Sequence, residues 1–309
     1  MTMNKANLDD ATPTTAAGQT RTKGTFERKE KKYLIDDSAF ERLMALIGEH
    51  VQADTFARST VTSIYYDTPN FELINRSMEK PIYKEKLRLR TYGAYDPAGP
   101  VYVELKKKFK GIVYKRRVQM THEGARAVMA GVPYEQASAL YPLDPARDTM
   151  HHSAAVDHQI GRELDACVAR HPGLEPSMAI IVDRLAFKGV EDPDLRITFD
   201  VHPRYRTGNL DFAAGPEGRL LLDEDMRIME IKCSDTYPLW LVRALNQIGA
   251  YPQSCSKYGM AYKLAKPGVF YGQESGHAYP IVTEAGFDFE GFTDEELEEA
   301  GLLFAGIPA

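Results

Sequence analysis

Charged and apolar side chains alternate along several stretches of the sequence. In residues 84–90 the alternation places Lys86, Arg88 and Arg90 on one face of a strand, and in residues 101–106 it places Glu104 beside Lys106. The same pattern occurs in residues 28–33, 180–184, 195–200 and 227–232. For one strand alone, exposure of the charged face to water is the ordinary explanation. Its repetition, with both signs of charge on one face, favours a barrel whose interior holds a polyanion and a counter-ion.

Helices and turns interrupt these strands at positions that the local pattern predicts. Ser38 and Glu41 match a capping box, and the apolar stripe that follows predicts a helix ending near Gly48. Residues 61–66 predict a strand that ends at a turn, 67–70, and residues 109–111 predict a hairpin turn between strands 101–108 and 112–120. The remaining predicted elements are a helical region at 121–170, strands at 178–188, 195–205 and 219–233, a helix with Pro238 in its first turn that ends at 248, and a short helix after Ser256.

Composition indicates one large globular domain, since 43% of the 309 residues are hydrophobic and 27% are charged. We expect residues 1–24 to be disordered. No run of eighteen apolar residues occurs and the N-terminal segment has no apolar core, so we expect neither a membrane span nor a secretory signal, and a cytoplasmic location. Cys167, Cys233 and Cys255 lack the spacing of zinc ligands, and reduced structural thiols are expected.

The charge is distributed unevenly along the chain. Residues 80–119 contain twelve Lys and Arg against three acids, whereas residues 271–309 contain nine acids and neither Lys nor Arg. A basic centre with an acidic end favours an anionic ligand and argues against a nucleic-acid-binding surface. Residues 267–309 are therefore predicted to form an acidic tail, which is expected to be solvated, with a short helix at 293–300 as the alternative.

Eight short motifs carry a resemblance to a known family. They are Arg28-x-Glu30-x-Lys32-Tyr33, Ser63-Ile64-Tyr65-Tyr66-Asp67, Lys86-x-Arg88-x-Arg90, Val103-Glu104-Leu105-Lys106, Asp183-Arg184, Arg196-x-Thr198-x-Asp200, Glu230-x-Lys232 and Ser256-Lys257-Tyr258-Gly259. In this order they resemble the vacuolar transporter chaperone (VTC) domain, over residues 25–266, as in a bacterial stand-alone member of the triphosphate tunnel metalloenzyme (CYTH-like) superfamily. The resemblance implies an α+β fold, in which an eight-stranded antiparallel β tunnel barrel carries helices on its outside. It also implies synthesis of inorganic polyphosphate from ATP with Mn²⁺ or Mg²⁺.

A triphosphate leaves water only where fixed cations replace its hydration shell. Arginine gives planar, two-pronged contacts to phosphate oxygens, and lysine acts as a point charge. The expected phosphate-binding residues are Arg88, Arg90, Arg184 and Arg196, with Lys32, Lys86, Lys106, Lys115, Lys232 and Lys257 as further cationic contacts. Among these, Arg88, Arg90, Lys106, Arg184, Arg196 and Lys257 are expected to be catalytic. The run Lys115-Arg116-Arg117 leaves the register of its strand open.

A carboxylate repels phosphate unless a cation bridges the two. The resemblance implies that Glu230 is the ligand of the divalent metal, because Mg²⁺ and Mn²⁺ are commonly shared between carboxylates and substrate phosphates. Glu30, Glu104 and Asp200 either complete this site or hold neighbouring Lys and Arg side chains, and the second role is favoured. The opening Arg28-x-Glu30-x-Lys32 has one acid fewer than the Glu-x-Glu-x-Lys of the triphosphatases in the superfamily, which argues against a two-metal hydrolase.

Three functions remain open: a polyphosphate polymerase, a triphosphate hydrolase or cyclase of the same superfamily, and a non-catalytic polyphosphate-binding protein. The expected ligands are ATP and inorganic polyphosphate, and the protein partners are open. The sequence has neither a phosphate-binding Gly-x-x-x-x-Gly-Lys-Ser/Thr loop nor a kinase signature. A nucleotide would therefore be held by its phosphates, with weak selectivity for the base. His151 and His152 are expected at the surface.

Overall fold

The computed structural model describes residues 29–266, apart from residues 111 and 235, together with the backbone of residues 281–282. The strands are β1 (Lys29–Asp36), β2 (Val51–Asp67), β3 (Tyr83–Tyr92), β4 (Val101–Phe109), β5 (Ile112–Met120), β6 (Glu175–Gly189), β7 (Arg196–Arg206), β8 (Gly218–Leu220), β9 (Met226–Cys233) and β10 (Ile281–Val282). The α-helices are α1 (Asp37–Ile47), α2 (Glu72–Met78), α3 (His122–Met129), α4 (Tyr134–Leu140), α5 (Ala154–Arg170), α6 (Leu239–Gln247) and α7 (Lys257–Ala265). None of these helices has the length and apolar character needed to span a membrane.

The strands form one antiparallel sheet in the order β1-β9-β7-β6-β2-β3-β4-β5, with β8 and β10 attached beside β7. The predicted α+β class, with a large antiparallel sheet and helices, is confirmed. The main path contains eight strands, but no pairing joins β1 to β5 in the described part of the chain. The hydrogen-bonded sheet is therefore open, and the closed barrel that the resemblance implied is not confirmed.

Side-chain contacts show that this open sheet is strongly curved. The adjacent residues Ser256 and Lys257 contact strands four places apart, because Lys86 Nζ on β3 donates to Ser256 Oγ at 3.0 Å and Lys257 Nζ lies 3.4 Å from Glu230 Oε1 on β9. In a flat sheet, four strand spacings would separate β3 from β9 by about 19 Å. The charged face is therefore concave, and its two sides face each other.

The convex face is apolar and covered by helices. Leu87 of β3, one residue from Arg88, is fully buried in a cluster with Leu164 of α5. On the other half of the sheet, the Phe199 ring of β7 packs edge-on against Phe40 of α1, with ring centroids 4.8 Å apart, in a cluster that includes Leu241 of α6. Burying each such side chain contributes roughly 1.5–3 kcal/mol. This burial fixes which face of every strand points inward.

The capping box at Ser38 is wrong, because the cap of α1 is Asp36. The Asp36 carboxylate accepts the backbone N–H of Ala39 at 2.7 Å, and the helix starts at Asp37. Ser38 lies inside the first turn, where its hydroxyl accepts a hydrogen bond from Arg42. Asp and Ser are both favourable caps, so the residue that precedes the helical backbone takes the role.

Four other segments differ from the sequence-based expectation. The predicted strand 219–233 is two strands, β8 and β9, separated by a turn in which the N–H of Met226 donates to the carbonyl of Asp223. The helical region 121–170 consists of α3, α4 and α5, and Pro238 precedes α6 as its cap. Residues 281–282, in the predicted tail, pair with β8. Residues 1–24, the remainder of 267–309 and the predicted helix 293–300 lie outside the described residues.

Helix α2 was not predicted because the residue directly before it has no capping side chain. It follows Phe71, whose φ of 59° is left-handed and which makes no side-chain cap. The buried carboxylate of Asp67 caps it from a distance, accepting the N–H groups of Leu73 at 2.9 Å and Ile74 at 3.0 Å. Asp67 also accepts the phenolic hydroxyl of Tyr258 at 2.8 Å, which ties α7 to this corner of the sheet.

Candidate functional site

Glu104 of β4 is the centre of one charged cluster on the concave face, and it is 1% exposed. Its carboxylate accepts the Nε–H of Arg88 at 2.7 Å and the Nε–H of Arg117 at 2.5 Å, and Lys115 Nζ lies 2.9 Å away. Arg90 Nε lies 3.8 Å from the same carboxylate. Burial by itself raises the pKa of Glu104, but the charges of Arg88, Arg90, Lys115 and Arg117 outweigh it and hold the pKa well below its usual range. Glu104 is therefore ionised and gathers cations from β3 and β5.

Residues of β2 orient the two arginines of β3. Arg88 Nη1 donates to the phenolic oxygen of Tyr65 at 2.8 Å, and Arg90 Nε donates to Ser63 Oγ at 3.0 Å. Burial raises the pKa of Tyr65, but the charges of Arg88, Lys86 and Arg90 act against it and bring the pKa down to about 8. The guanidinium groups are thus held in place on the concave face, where their remaining N–H groups suit phosphate oxygens.

A second cluster lies across the concave face, on β6, β7 and β9. Asp200 is fully buried and accepts two hydrogen bonds from Arg184, at 2.7 and 3.0 Å, and one from Lys257. Burial raises the pKa of Asp200, but Arg184 and Lys257 outweigh it and lower the pKa to about 2. Beside it, Glu230 has Lys32 Nζ and Lys232 Nζ each at 3.1 Å.

Two lysines on this face carry depressed pKa values and form no ion pair in the part of the chain that the structure describes. Burial lowers the pKa of Lys86 to about 8. Tyr65 partly offsets this effect, whereas the charges of Lys84, Lys106 and Lys32 add to it. Burial also lowers the pKa of Lys106, which forms no ion pair among the described residues, although Glu30 partly offsets the effect. Both cations therefore lie in a region where positive charge is not fully balanced.

The structure decides the register that the sequence left open on β5. Arg117 pairs across from Glu104, and Lys115 pairs across from Lys106, so both side chains belong to the concave face. Arg116 points the other way and donates to Glu163 of α5 at 2.8 Å. Arg117 was missed as a site residue. Alternation within 113–119, anchored on the apolar Val118, is the signal that would have identified it.

Arg196 is the predicted site residue that the structure does not bring to the centre. It lies on β7 opposite Lys232, but its guanidinium pairs with Asp54 of β2, and its side chain is 47% exposed. Arg196 therefore lies at the rim of the concave face. All the other predicted cationic residues, namely Lys32, Lys86, Arg88, Arg90, Lys106, Lys115, Arg184, Lys232 and Lys257, belong to the two clusters or lie between them.

Helix α7 covers one end of the concave face. The Tyr258 ring stacks on Tyr65, with ring centroids 4.3 Å apart, and both rings are buried with Met178 and Ala261 in an apolar cluster. The Tyr258 hydroxyl also lies 2.9 Å from Ser177 Oγ. Apolar residues thus replace charge on this part of the face, and the cationic side chains lie beyond it.

The carboxylates differ in how well they fit a divalent metal. Glu230 and Glu30 lie on the neighbouring strands β9 and β1. Burial raises the pKa of each carboxyl group, but the surrounding lysines outweigh burial and lower the pKa below its usual value. Both groups are therefore ionised. Such hard oxygens suit Mg²⁺ or Mn²⁺ when phosphate oxygens supply the other ligands. Glu104 and Asp200 fit less well, because guanidinium groups already bind their oxygens.

Another group of ligating atoms lies on the convex face. Glu85, Cys167 and His171 are the one set of three in the described residues whose ligand atoms all lie within 4.8 Å of one another. However, Glu85 already accepts hydrogen bonds from Arg170 at 2.6 Å and from Tyr83. Burial raises the pKa of the Cys167 thiol to about 12, so it is not the thiolate that binds metals. This cluster joins α5 to β3.

Comparisons with known proteins agree with the motif order. The model of the VTC domain family matches residues 27–266. No protein of curated function matches the chain. Among solved structures, a candidate adenylate cyclase from Vibrio parahaemolyticus is 14% identical, with 76% of this chain and 97% of that chain covered and a TM-score of 0.39. A candidate adenylate cyclase from Bacillus halodurans is also 14% identical, over 74% of this chain and 92% of that chain, with a TM-score of 0.40.

Proposed function

The chain belongs to the VTC domain family, and we propose that it is a polyphosphate polymerase that transfers the γ-phosphoryl group of ATP to inorganic polyphosphate. The observation that carries the proposal is the unbalanced positive charge of the concave face. Lys86 and Lys106 are half-buried, burial lowers both pKa values, and neither forms an ion pair with a carboxylate in the described residues. A bound polyanion supplies the missing negative charge, because it offsets the desolvation of these ammonium groups.

The two clusters provide contacts on both sides of such a ligand. Arg88 and Arg90 approach from β3, and Arg184 and Lys257 approach from the opposite side of the curved sheet. Phosphoryl transfer requires in-line positioning and charge neutralisation more than a protein nucleophile. A face lined with fixed cations is therefore chemically sufficient to position two phosphate chains end to end.

In the proposed reaction, a terminal oxygen of the polyphosphate chain forms a bond to the γ-phosphorus of ATP. The bond between that phosphorus and the β,γ-bridging oxygen breaks, and ADP leaves with the electron pair. Glu230 and Glu30 would hold Mn²⁺ or Mg²⁺, which neutralises charge on the phosphate oxygens. Lys32 and Lys232, both beside Glu230, keep this carboxylate ionised and become available to phosphate when a metal takes their place.

The position of α7 favours a second candidate function, hydrolysis or cyclisation of a triphosphate. The stacked pair Tyr258 and Tyr65 covers one end of the concave face, which limits how far a chain extends in that direction. A triphosphate needs only the charged part of the face, and water or a ribose hydroxyl would then be the nucleophile. A non-catalytic polyphosphate-binding protein would use the same cations.

Direct product analysis separates these functions. The purified protein is incubated with ATP and Mn²⁺, and polyphosphate, free phosphate, pyrophosphate and ADP are quantified. We expect chains of phosphate and one ADP for each unit added. The variant Arg88→Ala/Arg90→Ala, purified in the same way, controls for contaminating kinases. Free phosphate in place of chains would overturn the polymerase in favour of a hydrolase, pyrophosphate in favour of a cyclase, and binding of polyphosphate without any product in favour of a binding protein.

A further inference from the structure

A pocket of about 450 Å³ lies beside β5, where that strand meets the first half of α5. Its volume falls within the range of small-molecule sites, about 300–1,000 Å³. One part of its wall is cationic and another part is apolar. Its lining consists of the cationic Lys115, Arg116 and Arg117, the apolar Met150, Val156 and Ile160, and the polar His152 and Gln159. This combination suits a ligand that carries phosphates on one side and an apolar, planar group on the other.

Two side chains connect the pocket to the central site. Lys115 and Arg117 line the pocket, and the same residues contact the Glu104 carboxylate at 2.9 and 2.5 Å. Strand β5 ends the strand order, so no strand neighbour lies beyond it in the part of the chain that the structure describes. A chain of phosphates can therefore run from the concave face past Lys115 and Arg117 into the pocket.

The apolar wall is held in position by hydrogen bonds. Gln119 Oε1 on β5 accepts the backbone N–H groups of Thr149 and Met150, both at 2.9 Å. This fixes the segment that precedes α5 against the strand and presents Met150 to the pocket. Val156, in the first turns of α5, is 41% exposed although it is apolar, whereas Ile160 one turn later is buried.

We propose that this pocket holds the nucleoside part of ATP, with the triphosphate passing over Lys115 and Arg117 to the central cations. The inference rests on the proposed function, because it assumes that ATP supplies the phosphates. The apolar wall distinguishes a nucleoside from a continuing polyphosphate chain. A phosphate chain gains nothing from contact with Met150 and Val156, whereas contact with them removes the flat face of a base from water, which is favourable.

The experiment compares a ligand that has a nucleoside with one that lacks it. Val156→Trp places an indole in the pocket, and Ala155→Trp places the same group one position away on α5, at an exposed residue outside the pocket lining. Dissociation constants are measured by calorimetry for the β,γ-imido analogue of ATP, for tripolyphosphate and for long-chain polyphosphate. Melting temperatures confirm that each variant is folded.

We expect Val156→Trp to weaken binding of the ATP analogue by about tenfold, because the indole fills the space proposed for the base, and to change the affinity for tripolyphosphate by less than about twofold. Ala155→Trp should change neither. If Val156→Trp leaves the ATP analogue unchanged, or weakens both short ligands equally, the nucleoside does not occupy the pocket. Selective weakening of long-chain polyphosphate would assign the pocket to the polymer instead.

If Val156→Trp does not fold, Met150→Ala, which removes part of the same wall, serves in its place with the same expected selectivity. Failure of the unmodified protein to bind any of the three ligands would refute the proposed function itself.

Discussion

Replacement of Glu104 by glutamine should destabilise the protein and strengthen its binding of tripolyphosphate. Glutamine keeps the size of the side chain but removes the negative charge that pairs with Arg88, Lys115 and Arg117. Removing one partner from a buried set of charges costs about 3–5 kcal/mol. In a domain of this size each kcal/mol lowers the melting temperature by roughly 2–4 °C, so a decrease of roughly 10 °C is expected.

The same change makes cations available to phosphate. Tripolyphosphate at one hundred times its dissociation constant stabilises a protein by about 2.7 kcal/mol, and each tenfold gain in affinity adds about 1.4 kcal/mol. Thermal unfolding with and without tripolyphosphate therefore measures both effects. Glu163→Gln is the matched control, because Glu163 also binds two cations, Lys107 and Arg116, but lies on the convex side with 24% of its side chain exposed. We expect Glu163→Gln to lower the free energy of unfolding by no more than about 1 kcal/mol.

The pH dependence of the free energy of unfolding checks independently that the charge of Glu104 stabilises the folded state. The folded-state pKa of Glu104 is depressed, so its contribution to stability is complete above the usual carboxyl pKa of 4.5 and declines below it. The stability difference between the unmodified protein and Glu104→Gln should therefore shrink by about 1.4 kcal/mol for each pH unit below that value. The reasoning is refuted if Glu104→Gln melts no lower than Glu163→Gln, or if it binds tripolyphosphate more weakly than the unmodified protein.

Four further outcomes are expected. Arg88→Ala/Arg90→Ala should lower tripolyphosphate affinity at least about a hundredfold in calorimetry, and unchanged affinity would contradict their role as phosphate ligands. Glu230→Gln should abolish Mn²⁺-dependent turnover while metal-free tripolyphosphate binding survives, and retained turnover would exclude Glu230 as an essential ligand. Burial lowers the pKa of Lys86 to about 8, so tripolyphosphate affinity should fall between pH 7 and pH 9 by at most about tenfold, and Lys86→Arg should flatten the profile. Affinity should rise from pyrophosphate through tripolyphosphate to longer chains, whereas a maximum at tripolyphosphate would favour the hydrolase or cyclase.

Much of the candidate site could be predicted because strand geometry is local. Successive side chains of a strand point to opposite faces, so the alternation around Arg88 and Arg90 on β3 and around Glu104 on β4 places them on a common face without reference to other strands. On β5 the local signal is weaker. Both alternation classes carry charge in Lys115-Arg116-Arg117, so the register depends on the single apolar residue Val118, and the pairing of Arg117 with Glu104 shows it directly.

The ends of helices were harder to predict in two situations. In one, the capping residue is distant in sequence, and in the other, two nearby residues are equally suitable caps. Asp36 and Ser38 are both suitable caps for α1, and the position of the first helical residue selects Asp36. For α2, the carboxylate of Asp67 reaches the N–H groups of Leu73 and Ile74, six and seven residues away, so no short motif marks the helix.

The sequence by itself determined the charged face, the basic centre and the family, because these follow from residue identity, spacing and motif order. Tertiary structure alone decided which charges meet. The curvature of the sheet brings Lys86 to Ser256, 170 residues apart, and joins Lys257 to Asp200 and Glu230 on strands far from β3. It also left Arg196 at the rim, although alternation put it on the same face. Alternation is a property of one strand, whereas pairing, curvature and the position of α7 depend on packing between distant segments, which local spacing does not encode.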